Sequence, residues 1–153
     1  MIKKISFKTK IGWVSVFEDS GKIFQIKYGK VEKQTTSVLL KGFKKKLNNF
    51  FNKKALSISA PHKITGNKIQ KKIWNELKHI KVGQTKSYGE IAKKYKLSPR
   101  YIGKICGQNK LPLIIPCHRV IKSDGSLGGF SGNGGIKLKE KILKFEREKR
   151  SLN

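Results

Sequence analysis

A cysteine and a histidine stand side by side at the end of a short apolar run, in the segment Ile114-Ile115-Pro116-Cys117-His118-Arg119-Val120. The apolar residues predict a buried strand or extended segment, which Pro116 ends because it lacks the N–H that a strand ladder needs. Cys117 is then expected where a buried segment turns, so that one side of its thiol is shielded from water and the other can be reached by a reactant. A cysteine reacts as its thiolate, and His118 or Arg119 could supply the base or positive charge that favours this form.

Two further features could complete a site around this dipeptide. Glu146, near the C-terminus, could orient His118 as the third member of a catalytic triad. Glu140 and Glu148 are less favoured for this role. A glycine-rich loop, residues 125–135, has many positions free to adopt positive φ and would let the backbone approach a flat ligand closely. The simpler interpretation is an inert core thiol beside a hydrogen-bonded structural histidine.

The charge of the chain is strongly unbalanced. Its 153 residues include 36 Lys and Arg against 9 Asp and Glu, a net charge of +27. This excess predicts an anionic partner, most simply nucleic acid. The alternative explanation of the charge is a proteome that is generally rich in lysine. Such proteomes are normally rich in glutamate as well, and acidic residues are scarce here.

The composition favours a cytoplasmic protein without a metal or other cofactor. No apolar run is long enough to span a membrane, and the N-terminal residues lack the core of a signal peptide. The two cysteines, Cys106 and Cys117, and the three scattered histidines do not have metal-ligand spacing. In a reducing compartment we expect both thiols to be free.

Residues 1–60 are predicted to form a small domain of antiparallel sheet and helix. Period-two alternation predicts a meander of three strands, Lys3–Phe7, Trp13–Glu18 and Lys22–Tyr28. Helical periodicity then runs from Thr36 to about Phe51, and the lysines of this helix are expected to form its solvated face. Residues 56–59 favour one further strand, and residues 60–63 favour a linker.

Residues 65–153 are predicted to form a second, mostly helical domain, so that the fold class is α+β. Apolar periodicity indicates one helix around Ile69–Leu77 and a C-terminal helix that includes Ile136–Phe145. The glycine-rich loop and the Cys117 segment lie between these helices and would form an active-site loop region.

Two helix-start signals stand close together in the second domain. Ser87 and Glu90 match a capping box, and Ser98-Pro99 matches a cap followed by proline at the first helical position. Two short helices joined by a tight turn predict a helix-turn-helix, with an ordinary helical hairpin as the alternative. The second helix carries polar and basic side chains that could face DNA, namely Arg100, Tyr101 and Lys104.

At this point the sequence resembles a known family. The segment Pro116-Cys117-His118-Arg119-Val120 is similar to the active-site signature of the O6-alkylguanine-DNA alkyltransferases. Other residues lie at or near the spacing of that family: Asn109, Ser87-Tyr88-Gly89-Glu90-Ile91-Ala92, Arg100 before Gly103, Ser131 and Glu146. The resemblance covers roughly Asn67 to Glu146 and is weak over the first sixty residues.

The resemblance implies an irreversible, single-turnover transfer of an alkyl group from guanine O6 in double-stranded DNA to Cys117, by a monomer without a cofactor. O4-alkylthymine is a further substrate that it allows. In the family's arrangement His118 takes the thiol proton through a water molecule and Glu146 stabilises the imidazolium. Tyr88 donates a proton to the departing purine, and Asn109 ties the turn before the cysteine.

The resemblance also implies how the protein would hold DNA. The helix-turn-helix would dock in the minor groove, with Arg100 filling the space of the flipped nucleotide. The DNA-contacting residues would be Ser87, Tyr88, Arg100, Tyr101 and Lys104, and the lesion pocket would be lined by Arg119, Val120, Phe130 and Ser131.

Two departures from the family pattern and two rival functions stay open. Tyr101 and Ile102 are bulkier than the small residues common after the arginine, and about two residues near Asn133 are inserted in the glycine loop relative to some relatives. One rival is a protein of the same fold that recognises alkylated bases without repairing them, although such relatives lack the reactive cysteine. The other is a cysteine hydrolase, which would gain nothing from the positive charge or the helix-turn-helix.

Overall fold

The computed structural model describes residues 1–128 and 135–151, in two compact units formed by residues 1–64 and 65–153. In the first unit, β1 (Ile2–Thr9), β2 (Gly12–Asp19) and β3 (Lys22–Tyr28) form an antiparallel sheet in the order β1-β2-β3. The predicted meander is therefore confirmed: β1 is three residues longer than predicted, β2 is two residues longer, and β3 has the predicted bounds. The alternation that predicted the strands exists because one face of the sheet is buried.

The helix α1 (Val38–Phe51) packs on β1 and β2. Ser37 is its N-cap and accepts a hydrogen bond from the Leu40 N–H at 3.1 Å. Its apolar face supplies five buried side chains to the core of the unit: Leu40, Phe43, Leu47, Phe50 and Phe51.

The strand predicted at residues 56–59 is wrong, because the structure has no strand there. The open edge of β3 instead pairs with the segment predicted as a linker. The Ile23 N–H donates to the Pro61 carbonyl, and the Lys63 N–H donates to the Ile23 carbonyl, both at 2.9 Å. Pro61 can occupy this position because only its carbonyl is needed in the pair. These bonds hold residues 61–63 against the sheet of the first unit.

The second unit begins with three short helices, each capped as its sequence indicates: α2 (Lys68–Leu77), α3 (Tyr88–Tyr95) and α4 (Pro99–Gly107). The Ser87 side chain accepts from the Glu90 N–H and the Glu90 carboxylate accepts from the Ser87 N–H, which completes the predicted capping box. Lys96 ends α3 in the left-handed conformation, and α4 then packs on α3. The predicted helix-turn-helix is present.

The remaining elements complete an α+β fold, as predicted. The helix α5 (Gly135–Ser151) contains the predicted C-terminal helix. A parallel pair of two-residue strands, β4 (Lys86–Ser87) and β5 (Val120–Ile121), was not predicted, because two residues are too few to show alternation. This pair joins the start of α3 to the residues that follow Cys117. Among residues 1–128 and 135–151, no helix is both long and apolar enough to cross a membrane.

Candidate active site

Cys117 begins a short 3-10 turn, Cys117–Arg119, at the end of a segment in which every residue from 111 to 120 is buried. The strand or extended segment predicted before Cys117 is wrong. The chain folds there into tight turns, in which the Ile115 N–H donates to the Leu111 carbonyl at 2.8 Å and Leu113 has a positive φ of 75°. Prolines near both ends of the segment remove N–H donors that a strand would use.

The Asn109 side chain closes this turn. Its Nδ2 donates to the Ile115 carbonyl at 2.9 Å, and its Oδ1 accepts from the Leu111 N–H at 2.9 Å. The amide therefore satisfies one donor and one acceptor of a buried backbone that has no ladder partner. Only a side chain with both a donor and an acceptor can do this.

The Cys117 thiol is held mostly in its protonated form. Burial raises its pKa, while a hydrogen bond from Asn109 and the positive charge of Lys139 oppose this effect without reversing it. The side chain is only 8% exposed. The resting thiol is thus a weak nucleophile, and a nearby base is needed to generate the thiolate.

His118 is oriented by Glu146. Its Nε2 lies 3.0 Å from the Glu146 Oε2, and both side chains are about 1% exposed. Because a carboxylate can only accept, Nε2 carries the hydrogen of this bond and Nδ1 of the neutral ring has the free lone pair. Nδ1 is buried and has no hydrogen-bond partner among the residues that the structure describes. This nitrogen is the available base.

Arg119 clamps the same carboxylate from the other side. Its Nε donates to the Glu146 Oε1 and its Nη2 to the Glu146 Oε2, both at 2.8 Å, while Nη1 donates to the Ile80 carbonyl at 2.7 Å. This is a buried, bidentate ion pair, the geometry for which arginine is suited. Since its guanidinium is engaged in this way, we assign Arg119 to the support of Glu146 and not to the wall of a substrate pocket.

The Glu146 carboxylate stays ionised in this surrounding. Burial by itself raises its pKa, but the charges and hydrogen bonds of His118 and Arg119 outweigh burial and hold the pKa at about 2. A permanent negative charge is therefore available to stabilise an imidazolium when His118 accepts a proton.

Tyr88, the first residue of α3, presents a neutral phenol to the same region. Burial, with the proximity of the thiols of Cys106 and Cys117, raises its pKa to about 12. The ring lies against Gly128, where a Cβ atom would stand 2.7 Å from the phenol oxygen. A phenol that stays protonated at neutral pH can act as a hydrogen-bond or proton donor.

Lys139 was not predicted as a site residue, and the structure places it beside Tyr88. The side chain is fully buried; its Nζ donates to the Val120 carbonyl at 2.6 Å and to the Tyr88 hydroxyl oxygen at 3.2 Å. Among the described residues no carboxylate pairs with it. Desolvation lowers its pKa, while the nearby thiols of Cys117 and Cys106 act in the opposite direction. The phenol oxygen thus accepts from Lys139 and keeps its own hydrogen free.

A sequence signal for Lys139 exists. Positions 139, 142, 143 and 146 follow the i, i+3, i+4, i+7 spacing of one helical face. Ile142, Leu143 and Glu146 on that face are buried. A lysine at the first position of a buried face is unusual enough to mark it as a candidate.

The predicted DNA-contacting residues lie around the helix-turn-helix. Arg100 and Lys104 of α4 are exposed, and Tyr101 is half-buried. Ser87 is half-buried and occupied as the cap of α3. A Cβ on Gly103 would lie 3.8 Å from the Tyr88 ring, so α4 passes close to this phenol.

The remaining residues of interest are those predicted to line the pocket and the second cysteine. Val120 is fully buried and contributes its carbonyl to Lys139. Phe130 and Ser131, predicted to line the pocket, lie outside the described residues. Cys106 is buried in α4, and burial raises its pKa to about 12, so it is an inert thiol at neutral pH.

The described residues contain no group of three or more His, Cys, Asp or Glu side chains that could hold a metal ion. Three functions converge near Cys117 instead: a thiol nucleophile, an imidazole base backed by a fixed carboxylate, and a neutral phenol donor. This set suits the transfer of an electrophilic carbon to sulfur with protonation of a poor leaving group.

Comparisons with known proteins agree with this chemistry. A family model described as 6-O-methylguanine DNA methyltransferase, DNA binding domain, matches residues 68–148. The methylated-DNA–protein-cysteine methyltransferase of Methanocaldococcus vulcanius is 52% identical over 82 residues, which are 54% of this chain and 49% of that protein. The protein of the same name from Metallosphaera sedula is 30% identical over 149 residues, which are 95% of this chain and 94% of that protein.

A solved structure of Mycobacterium tuberculosis OGT in complex with DNA matches the whole fold. Its TM-score is 0.82 at 25% identity, covering 95% of this chain and 93% of that chain. Several curated relatives match over a shorter region, and this chain spans about half of their length.

Proposed function

Since this chain belongs to the 6-O-methylguanine DNA methyltransferase family, we propose that it repairs DNA by moving the alkyl group of O6-alkylguanine onto its own Cys117. The observation that carries the proposal is the buried His118–Glu146 pair, 3.0 Å apart, next to a buried thiol. The product is a thioether, which no group in the site can hydrolyse. Each molecule therefore acts once.

The first chemical step is removal of the thiol proton. Nδ1 of His118 takes it through a bridging water molecule, and the imidazolium that forms is stabilised by the ionised Glu146. Arg119 keeps Glu146 in place during this step. Because the resting thiol is protonated, thiolate forms mainly when a substrate is positioned to consume it.

The second step is an SN2 displacement at the alkyl carbon. A lone pair of the Cys117 sulfur forms the S–C bond, the C–O6 bond breaks, and its electron pair passes to the guanine. Tyr88 donates its hydroxyl proton to a ring nitrogen, so guanine leaves as a neutral base. The Lys139 ammonium, 3.2 Å from the phenol oxygen, stabilises the phenolate that remains until water reprotonates it.

The target base must leave the duplex to reach a buried thiol. We assign Arg100 to the gap left in the stack, and Ser87, Tyr101 and Lys104 to the sugar-phosphate backbone in the minor groove. Ser131, Phe130 and the backbone of Val120 would complete the lesion pocket, which could also admit O4-alkylthymine. The protein would work as a monomer in the cytoplasm, associated with the nucleoid.

Intact-protein mass spectrometry tests this proposal. The protein is incubated with a duplex that contains one O6-methylguanine, and the expected result is a gain of one methyl group that maps to Cys117 and is absent from the Cys117→Ala variant. Tight binding without any mass gain would overturn the proposal and leave a protein that only recognises alkylated bases.

A further inference from the structure

The outer face of α1 carries only positive charge. Lys41, Lys44 and Lys45, here called the α1 lysine face, are exposed and lie at i, i+3 and i+4. Residues 33–64 contain eight lysines and no Asp or Glu. The helix therefore has no acidic side chain of its own to balance these charges.

The acidic residues of the same unit do not neutralise this face either. Of its three acidic residues, Glu18 is buried and accepts from the Ser37 hydroxyl at 2.6 Å, and Asp19 pairs with the N-terminal ammonium at 3.4 Å. The third, Glu32, is exposed and forms no ion pair with the lysines of α1 among the described residues. Among the described residues, the ammonium groups of Lys41 and Lys45 have neither a hydrogen-bond nor an ion-pair partner. Like charges at these spacings repel one another and destabilise a helix, so their retention on one face is not explained by helix stability.

The rest of the exposed face suits phosphate as well. Asn48 and Asn49 are half-buried and Asn52 is exposed, and each can donate hydrogen bonds without adding negative charge. Lys53 and Lys54 continue the positive surface directly after the helix and are exposed. A lysine-rich surface that serves only solubility usually alternates its lysines with glutamates, and this one does not.

We propose that the α1 lysine face is a second DNA-contact surface, separate from the helix-turn-helix, that binds backbone phosphates without reading sequence. The proposal rests on the proposed function in one respect, since that function makes DNA the partner. Contacts of this kind release condensed counterions, so they contribute affinity that falls steeply with salt.

The test compares two triple variants of the full chain. Lys41→Gln/Lys44→Gln/Lys45→Gln removes the face, and Lys8→Gln/Lys10→Gln/Lys22→Gln removes the same charge from exposed lysines at the strand ends of the same unit. Affinity for an unmethylated duplex is measured by fluorescence anisotropy over a series of NaCl concentrations. A thermal melt checks that both variants keep the wild-type fold.

We expect the slope of log binding constant against log salt concentration to be less negative in the α1 variant by about 2 to 3. Each lost phosphate contact should contribute about 0.9 to this change. The control variant should change the slope by less than about 1. An unchanged slope in the α1 variant, or an equal change in both variants, would overturn the proposal. Either result would mean that these lysines affect DNA affinity only through the net charge of the protein and not through local phosphate contacts.

A second measurement separates this proposal from the repair activity. Methyl transfer to Cys117 at saturating methylated duplex is measured for the wild-type protein and should proceed at the same rate in the Lys8→Gln/Lys10→Gln/Lys22→Gln control. If the wild-type protein transferred no methyl group, the proposed function would fail, while the salt slopes on unmethylated DNA would still decide whether α1 binds phosphate.

Discussion

The reactivity of Cys117 is set by opposing effects on one thiol. Burial raises its pKa, whereas the Asn109 hydrogen bond and the Lys139 charge lower it. Burial prevails, so the thiol is protected from stray electrophiles in the resting protein. This arrangement fits a protein that can react only once, because a premature reaction would waste the molecule.

Lys139 supports Tyr88 through a hydrogen bond and a ring contact, with its Nζ 5.5 Å from the ring centroid. We expect Lys139→Met, which keeps the length and loses the charge, to slow methyl transfer about 10- to 100-fold at neutral pH. The single-turnover rate should also show a changed pH profile, since the positive charge that stabilises the phenolate is gone.

Lys137→Met is the matched control, because Lys137 lies on the same helix and is exposed. It should react like the wild type. A slower Lys139→Met variant with the wild-type pH profile would instead assign this lysine a purely structural role.

Glu146 makes stability depend on pH in acid. Its pKa is about 2 in the folded protein against an ordinary value of 4.5, so its ionised form stabilises the fold above pH 4.5. That contribution, on the order of 3 kcal/mol, is lost as the pH falls towards 2. Urea unfolding of the wild type should show this loss between the two pH values.

Glu146→Gln should be less stable than the wild type by about 3–5 kcal/mol at pH 7, because Arg119 keeps a buried charge without a counter-charge. Its stability should fall less in acid. Glu140→Gln, an exposed change on the same helix, should follow the wild-type curve. A wild-type-like acid profile for Glu146→Gln would show that another carboxyl controls the transition.

At the scale of elements, the capped helices formed where local signals predicted them. Ser87 with Glu90, and Ser98 with Pro99, start α3 and α4 as expected because caps act within one turn. The strand prediction before Cys117 was wrong because an apolar run indicates burial but does not distinguish a strand from a buried turn. Here the side-chain amide of Asn109, a few residues upstream, closes such a turn.

The helix-turn-helix allows a prediction that separates DNA binding from chemistry. Arg100 is exposed at the start of α4, so Arg100→Ala should leave the unfolding free energy within about 0.5 kcal/mol of wild type. If Arg100 holds the duplex open, methyl transfer from a duplex should slow about 10-fold or more. Transfer from free O6-alkylguanine base should not change, and equal losses on both substrates would contradict the assigned role.

At the scale of the whole molecule, repair should weaken the fold. Cys117 is 8% exposed in a closely packed segment, so an added methyl group has little space. Overpacking of this kind costs about 1–3 kcal/mol. The melting temperature of the methylated protein should therefore fall by several degrees, at about 2–4 °C per kcal/mol lost for a chain of this length. A sample alkylated at Cys117, verified by peptide mapping, should be compared with an unreacted one; equal melting temperatures would mean that the site accommodates the methyl group without strain.

Features that depend only on neighbouring residues were predictable from the amino-acid sequence. These are the α+β class, the three strands, the capped helices and the presence of a cysteine–histidine pair at a turn. Hydrophobic periodicity and helix caps involve residues within a few positions of each other, so they can be recognised without knowing how the rest of the chain folds. The positive charge was equally evident, because net charge requires no structure.

Contacts between side chains that are far apart in the sequence became known only from the three-dimensional structure. In that structure Arg119 pairs with Glu146, Lys139 donates a hydrogen bond to Tyr88, and residues 61–63 pair with the edge of β3. Helical periodicity indicates that a residue faces the core, but it does not say which side chain lies opposite. The electrostatics of the site depend on those opposite groups at about 3 Å. For this reason the helical pattern could indicate that Lys139 is buried, but not that it contacts Tyr88.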